Sequence, residues 1–255
     1  MVRLYVKEPY SVVLVHGGPG AIGSLKGFAK ELNERTGEGV VEAIQSKYSI
    51  AELIEELYQQ IKDNCVEKVT LIGHSWGAWL AALFAERHPE LVKNIILIGC
   101  APLEDKYVAE IGSRRFAHLT DEEAELFQRL INNLVTDEDM EKIPAMFEKS
   151  DNYCLEEREL HSADKTDSEM HNAIWSEAAK LRTNGKLLEV FKRINSKIYL
   201  IQGSYDPHPV NGVMIPLQEN GVLCENYILE KCGHSPFMEK YAKDEFYNIL
   251  RKTIF

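Results

Sequence analysis

Gly73-His74-Ser75-Trp76-Gly77 is the stretch of this 255-residue chain best suited to chemistry. A serine hydroxyl becomes a nucleophile only when it is exposed beside a base. Ser75 follows a β-branched run, Val69-Thr70-Leu71-Ile72, and precedes the small, apolar Ala78-Trp79-Leu80. That reads as strand, sharp turn, helix, with the serine at the apex. Any Cβ at position 73 or 77 would collide with the neighbouring strand and helix, while the serine itself takes a strained backbone conformation. The pentapeptide alone should occur by chance in roughly a tenth of chains this long. A serine that merely caps the following helix is the plain alternative.

A second suggestive stretch is His16-Gly17-Gly18-Pro19-Gly20, which follows the apolar run Tyr10–Val15. Glycines at the carboxyl end of a buried strand let backbone N–H groups turn toward a ligand, and open α/β sheets bind ligands at that edge. An ordinary tight turn would look the same. Further on, Gly203-Ser204-Tyr205-Asp206 ends the run Ile198–Ile201, and Cys232-Gly233-His234-Ser235-Pro236 follows the run Glu225–Leu229. An acid and an imidazole thus arrive at equivalent places.

The elements that must position these residues follow from periodicity. Tyr10–Val15, Val40–Ile44, Val69–Ile72, Val92–Ile98, Ile198–Ile201 and Glu225–Leu229 read as strands. Ser24–Thr36 reads as a helix stopped by Gly37-Glu38-Gly39. In Tyr48–Cys65, Ile50, Leu53, Ile54, Leu57 and Ile61 form one helical stripe, opened by Ser49 with Glu52 three residues on. The helix after Ser75 should run to about His88, and a closing helix should span about Lys240–Lys252. This alternation predicts right-handed crossovers and a mostly parallel sheet. From Leu103 to Val190 charged helical stripes replace it: Glu122–Asn133, Asp139–Lys149, Leu155–His161 and Glu169–Arg182. The expected organisation is an α/β core of residues 1–102 and 191–255 with a helical cap insertion at 103–190. The insertion holds 21 acidic against 11 basic residues, net −10, leaving −1 for the rest. A solvated helical surface explains that as well as a functional field does.

Composition narrows the partners. A chain of this length can bury one full core. MVRLYVKEPY lacks the apolar stretch of a signal peptide, and no run reaches the eighteen apolar residues of a membrane span, so a cytoplasmic protein is expected. Five scattered cysteines, with no C-x-x-C pair, argue for reduced structural thiols and against a zinc site. A net charge of −11 makes nucleic acid and anionic membrane unsuitable partners. No metal or cofactor is expected, and nothing in the sequence sets the oligomeric state.

Together these features resemble the α/β-hydrolase fold over essentially the whole chain. The order Ser75, Asp206, His234 is the family's Ser…Asp…His order, each residue lying just past a predicted strand. Gly233-His234-Ser235-Pro236-Phe237-Met238-Glu239 and Gly203-Ser204-Tyr205-Asp206 look like its usual settings for histidine and acid. With only about ten residues before the first central strand, the family's opening antiparallel hairpin should be truncated, leaving about six parallel strands. His16–Gly20 with Gly73–Gly77 is also similar to the proline iminopeptidase branch, although Ala78 stands where that branch has a further glycine. The cap glutamates that hold a substrate amine in that branch have no residue-by-residue match; Trp175-Ser176-Glu177 is at best a fragment of such a motif.

The resemblance implies that Ser75 attacks a carbonyl while His234 takes and returns its proton and Asp206 holds the imidazole tautomer. Backbone N–H groups of Gly18 and Trp76 would form the oxyanion hole, with Gly17 and His16 beside the substrate. His16, His74 and His208 are rival imidazoles; Glu104 and Asp105 are rival acids. The substrate would be a small ester or amide. A proline-iminopeptidase-like aminopeptidase is one alternative, with Glu156, Glu157, Asp164 and Glu177 as candidate amine partners. A lyase or ligand receptor retaining the triad is another, since fold alone does not fix function.

Overall fold

The computed structural model describes residues 1–5, 8–132, 134, 136–156 and 163–255. Its strands are β1 (Val2–Tyr5), β2 (Tyr10–Val15), β3 (Ala21–Ile22), β4 (Gly39–Ala43), β5 (Val69–His74), β6 (Val92–Ile98), β7 (Lys165–Thr166), β8 (Lys197–Gly203) and β9 (Cys224–Leu229). Seven of them form one sheet in the order β1-β4-β2-β5-β6-β8-β9. All neighbours are parallel except β1, which runs antiparallel to β4 at the edge. The six parallel strands are those expected, and β1 is what remains of an opening hairpin. A four-residue strand carries too little periodicity to be read from sequence. Its anchor is also nonlocal: the Tyr5 hydroxyl donates to buried Glu42 at 2.8 Å, and Arg3 pairs with the same carboxylate.

Alternation along the strands decides how the sheet is covered. Val13 and Val15 face the side carrying α2 (Ile50–Asn64) and α3 (Trp76–Arg87). Val12 and Leu14 face α1 (Lys26–Thr36) and α10 (Lys243–Ile254) on the other side. With both faces buried, the central strands need no polar side, which is why they read as continuous apolar runs. Ser49 caps α2 as its spacing predicts, accepting the Glu52 N–H. α3 is buried from Trp76 through Ala85 and packs directly behind the Ser75 turn.

Between β6 and β8 the chain forms α4 (Val108–Phe116), α5 (Asp121–Ile131), α6 (Asp137–Asp151), α7 (Ser168–Thr183) and α8 (Lys186–Lys192). α5 and α6 open with capping boxes at Thr120/Glu123 and Thr136/Asp139. α5, α6 and α7 match expected stripes. α4 and α8 do not; at nine and seven residues they are too short to show a helical stripe. The expected helix Leu155–His161 lies mostly outside the described residues. α9 (Asn211–Glu219) follows β8 and contains Pro216. Among the described residues no helix is long and apolar enough to cross a membrane.

Candidate active site

β5 delivers Ser75 to the carboxyl edge of the sheet. The residue has φ +56° and ψ −121°, and only Lys231 shares a positive φ among the described non-glycine residues. Such a conformation costs about 1–3 kcal/mol and persists only where the surroundings impose it. They do so here: the Ser75 N–H donates to the Ile98 carbonyl at 2.8 Å, and its own carbonyl accepts from Ala78. A Cβ on Gly73 would lie 2.2 Å from the Gly77 carbonyl oxygen, and one on Gly77 would lie 2.1 Å from that of Val15. Both glycines are therefore obligatory for the turn. The Ser75 hydroxyl makes no capping hydrogen bond to α3.

The loop after β2 lies directly against this turn. A Cβ on Gly17 would come within 2.8 Å of the Ser75 Cβ. Gly18 has φ +43°. The backbone N–H groups of Gly18 and Trp76 donate to no group among the described residues, leaving two donors available beside Ser75. His16 is wholly buried, with Nδ1 3.0 Å from the Gly17 carbonyl oxygen. It supports the loop from below and presents no surface to a substrate in this structure. Gln45 joins the two segments: its Nε2 donates to the His16 carbonyl at 2.9 Å, and its Oε1 accepts the Trp76 indole N–H at 3.0 Å.

β8 and β9 bring the acid and imidazole together. His234 Nδ1 lies 3.1 Å from both carboxylate oxygens of Asp206. Asp206 is fully buried and also accepts the His208 N–H at 2.9 Å and the Gln202 side-chain amide at 3.0 Å. Gln202 is itself fixed, accepting the Cys100 N–H at 3.0 Å. Burial alone would lower the His234 pKa, yet the Asp206 charge and hydrogen bond, with the Asp151 charge, carry it above the ordinary 6.5. Burial alone would raise that of Asp206, and the facing imidazole with its hydrogen bonds brings it below the usual carboxylate value. Asp206, His208 and His234 place donor atoms within 4.8 Å of one another, close enough to share a metal ion. The hydrogen bonds just named account for that closeness.

The rival groups have other partners. Burial depresses His16 to about 4 and His208 to about 4; burial and the neighbouring His234 take His74 to about 3. His74 Nε2 donates to the His234 carbonyl at 3.0 Å, so it orients the loop. Asp105 pairs with Arg182 at 2.6 Å and Glu104 with Lys106 at 2.8 Å.

Two parts of the 103–190 segment hold the site loops. On one side β7 pairs with β3, the Asp167 N–H donates to the Gly20 carbonyl at 2.9 Å, and His171 Nδ1 sits 3.2 Å from the Pro19 carbonyl. On the other side the His234 N–H donates to the Asp151 carbonyl at 2.7 Å. Buried Glu239 accepts the N–H groups of Gly233, Tyr153 and Cys154, each at 2.7 Å. Of the carboxylates considered for an amine, Asp164 pairs with Arg3 and Lys26, Glu156 with Lys243, and Glu177 accepts the Ile50 N–H at 3.0 Å. Glu157 lies outside the described residues. Gln45 carries no signal in the sequence, Gln202 is marked only as a lone glutamine ending the apolar run of β8, and Glu239 closes the motif around His234 with nothing there to indicate its partners.

A family model described as alpha/beta hydrolase fold matches residues 10–241. Among known proteins, abhydrolase domain-containing protein abhd-5.2 of Caenorhabditis elegans is 28% identical over 125 residues, covering 43% of this chain and 28% of that protein. Proline iminopeptidase of Neisseria gonorrhoeae is 29% identical over 114 residues, covering 40% and 37%. The matches thus span well under half the length of these relatives. The crystal structure of VinJ superposes with a TM-score of 0.75 at 17% identity, covering 100% of this chain and 95% of that one.

Proposed function

Because the chain belongs to the alpha/beta hydrolase fold family, we propose that it is a serine hydrolase cleaving a small ester or amide through an acyl-enzyme. The observation that carries this reading is the strained Ser75 beside two unengaged backbone donors, in a chain where buried Asp206 already holds His234. Ser75 Oγ attacks the carbonyl carbon as its proton passes to His234 Nε2. The leaving alcohol or amine takes that proton, and water then repeats the sequence to free the acid. Asp206 keeps the proton on Nδ1 and stabilises the imidazolium. The Gly18 and Trp76 N–H groups receive the oxyanion, each worth roughly 2.7–4 kcal/mol if it behaves as characterised donors do. Gly17, lacking a side chain, leaves the acyl group room beside Ser75, and the 103–190 insertion acts as a cap that excludes water. The scheme draws on no metal or cofactor.

The test is a fluorophosphonate probe, which should label the wild type and spare Ser75→Ala; equal labelling of both, or of neither, ends the reading. A panel of p-nitrophenyl esters and aminoacyl p-nitroanilides then separates the substrate classes. A proline-iminopeptidase-like aminopeptidase is the second reading, favoured by the likeness to the Neisseria enzyme. Esters come first because Asp164, Glu156 and Glu177 are each already engaged with another group.

A further inference from the structure

The imidazole of His234 is supported from the core by Asp206, but its backbone is held by the end of α6. The His234 N–H donates to the Asp151 carbonyl at 2.7 Å, and a Cβ on Gly233 would lie 2.3 Å from that oxygen. Asp151 is fixed in turn by Arg115 of α4, which grips both carboxylate oxygens, Nε to Oδ1 at 2.8 Å and Nη2 to Oδ2 at 2.7 Å. The Ser150 hydroxyl adds a bond to Oδ1 at 2.8 Å. The planar fork of arginine makes this a directional contact, and both side chains are mostly shielded from solvent.

We infer that Arg115 and Asp151 are a positioning pair for His234: their ion pair sets the carbonyl that fixes the histidine backbone, and their two side-chain charges compensate one another behind it. This rests on His234 being the general base. The charged and titratable groups around the imidazole are Asp206 and His208 from the loop after β8, His74 from β5, Asp151 from α6, Arg115 from α4, Glu239 of its own loop, and Arg114 of α4, which donates to the Asp206 carbonyl at 3.1 Å and is paired with Glu110. Asp206 dominates through direct contact, and His74 and His208 are neutral. Glu239 is spent on three N–H groups. The pair is therefore the adjustable charge: Asp151 raises the affinity of His234 for a proton, and Arg115 lowers it.

The two members pull in opposite directions, which a merely structural role would not reproduce. In Arg115→Met the uncompensated carboxylate should raise the His234 pKa, and in Asp151→Asn the uncompensated guanidinium should lower it, each by roughly half a unit to one unit. Arg115→Met combined with Asp151→Asn should titrate close to the wild type. Imidazole NMR of the full chain reads these shifts whether or not any substrate turns over, so a failure of the hydrolase reading stays distinguishable. With a turned-over ester, Arg115→Met should lose about ten- to a hundredfold in kcat with KM little changed, and Arg115→Lys should recover part of it. Should Arg115→Met fail to fold, Arg115→Gln, which also removes the charge, and Asp151→Asn carry the test. Opposite shifts that cancel in the double variant support the pair; wild-type titration in both single variants, or shifts of the same sign, would overturn it.

Discussion

The indole of Trp76 donates to Oε1 of Gln45 at 3.0 Å, and the same glutamine holds the His16 carbonyl through its Nε2. The residue after Ser75 is thereby tied to the glycine loop, and the two donors proposed for the oxyanion share one buried polar bridge. Trp76→Phe keeps most of the packing but orphans Gln45 Oε1. It should lower kcat about ten- to a hundredfold with little change in KM, because the loss falls on transition-state alignment. A rise in KM at constant kcat would place the bridge in substrate binding instead.

Asp206→Asn should retain the fold while turnover drops by about 10⁴, since the amide would hold His234 in the wrong tautomer. Glu104→Gln and Asp105→Asn should stay near the wild type, both carboxylates being paired elsewhere. Circular dichroism alongside steady-state rates checks both parts. Near-normal turnover in Asp206→Asn would move the acid's role to another carboxylate.

The pH profile has a definite sign. His234 must be neutral to accept the Ser75 proton, and its folded pKa lies above 6.5, so kcat/KM should rise with pH through a single limb above that value. His16, His74 and His208, depressed to about 4, 3 and 4, are neutral there and cannot produce the limb. A limb well below 6.5 would contradict the assignment of His234 as base.

Glu239→Ala should orphan three buried N–H donors and uncouple residues 153–154 from the histidine loop. At about 1–3 kcal/mol for each unsatisfied group, and about 2–4 °C of Tm per kcal/mol for a chain of this size, a fall in Tm of at least roughly 6 °C is expected. Limited proteolysis should then cut within 152–156 before the core. An unchanged Tm with an intact segment would show that water replaces the carboxylate without cost.

What could be read from the sequence was what is written locally. The central strands declare themselves because each is apolar on both faces, and Ser75, Asp206 and His234 stand out as candidates because each follows a strand within five residues. Ser49 and Glu52 announce the start of α2 across three residues. The partners that fix the site were not legible. Gln45 reaches Trp76, Arg115 reaches Asp151, and Glu239 reaches Tyr153, and none of these pairings leaves a periodic trace. Likewise the surplus of acid in the 103–190 segment gave no hint that Asp164 and Glu156 are claimed by Arg3, Lys26 and Lys243 of the surrounding core.

The main-chain bonds from Asp167 to Gly20 and from His234 to Asp151 bear on how such a chain can diversify. A segment resting on the core through side chains alone could be exchanged between relatives, carrying its preferences with it. Here the same segment is stitched by main-chain bonds into the glycine loop at Asp167 and into the histidine loop at Asp151. On the proposed hydrolase reading, grafting a foreign insertion between β6 and β8 should therefore alter reaction rate together with selectivity.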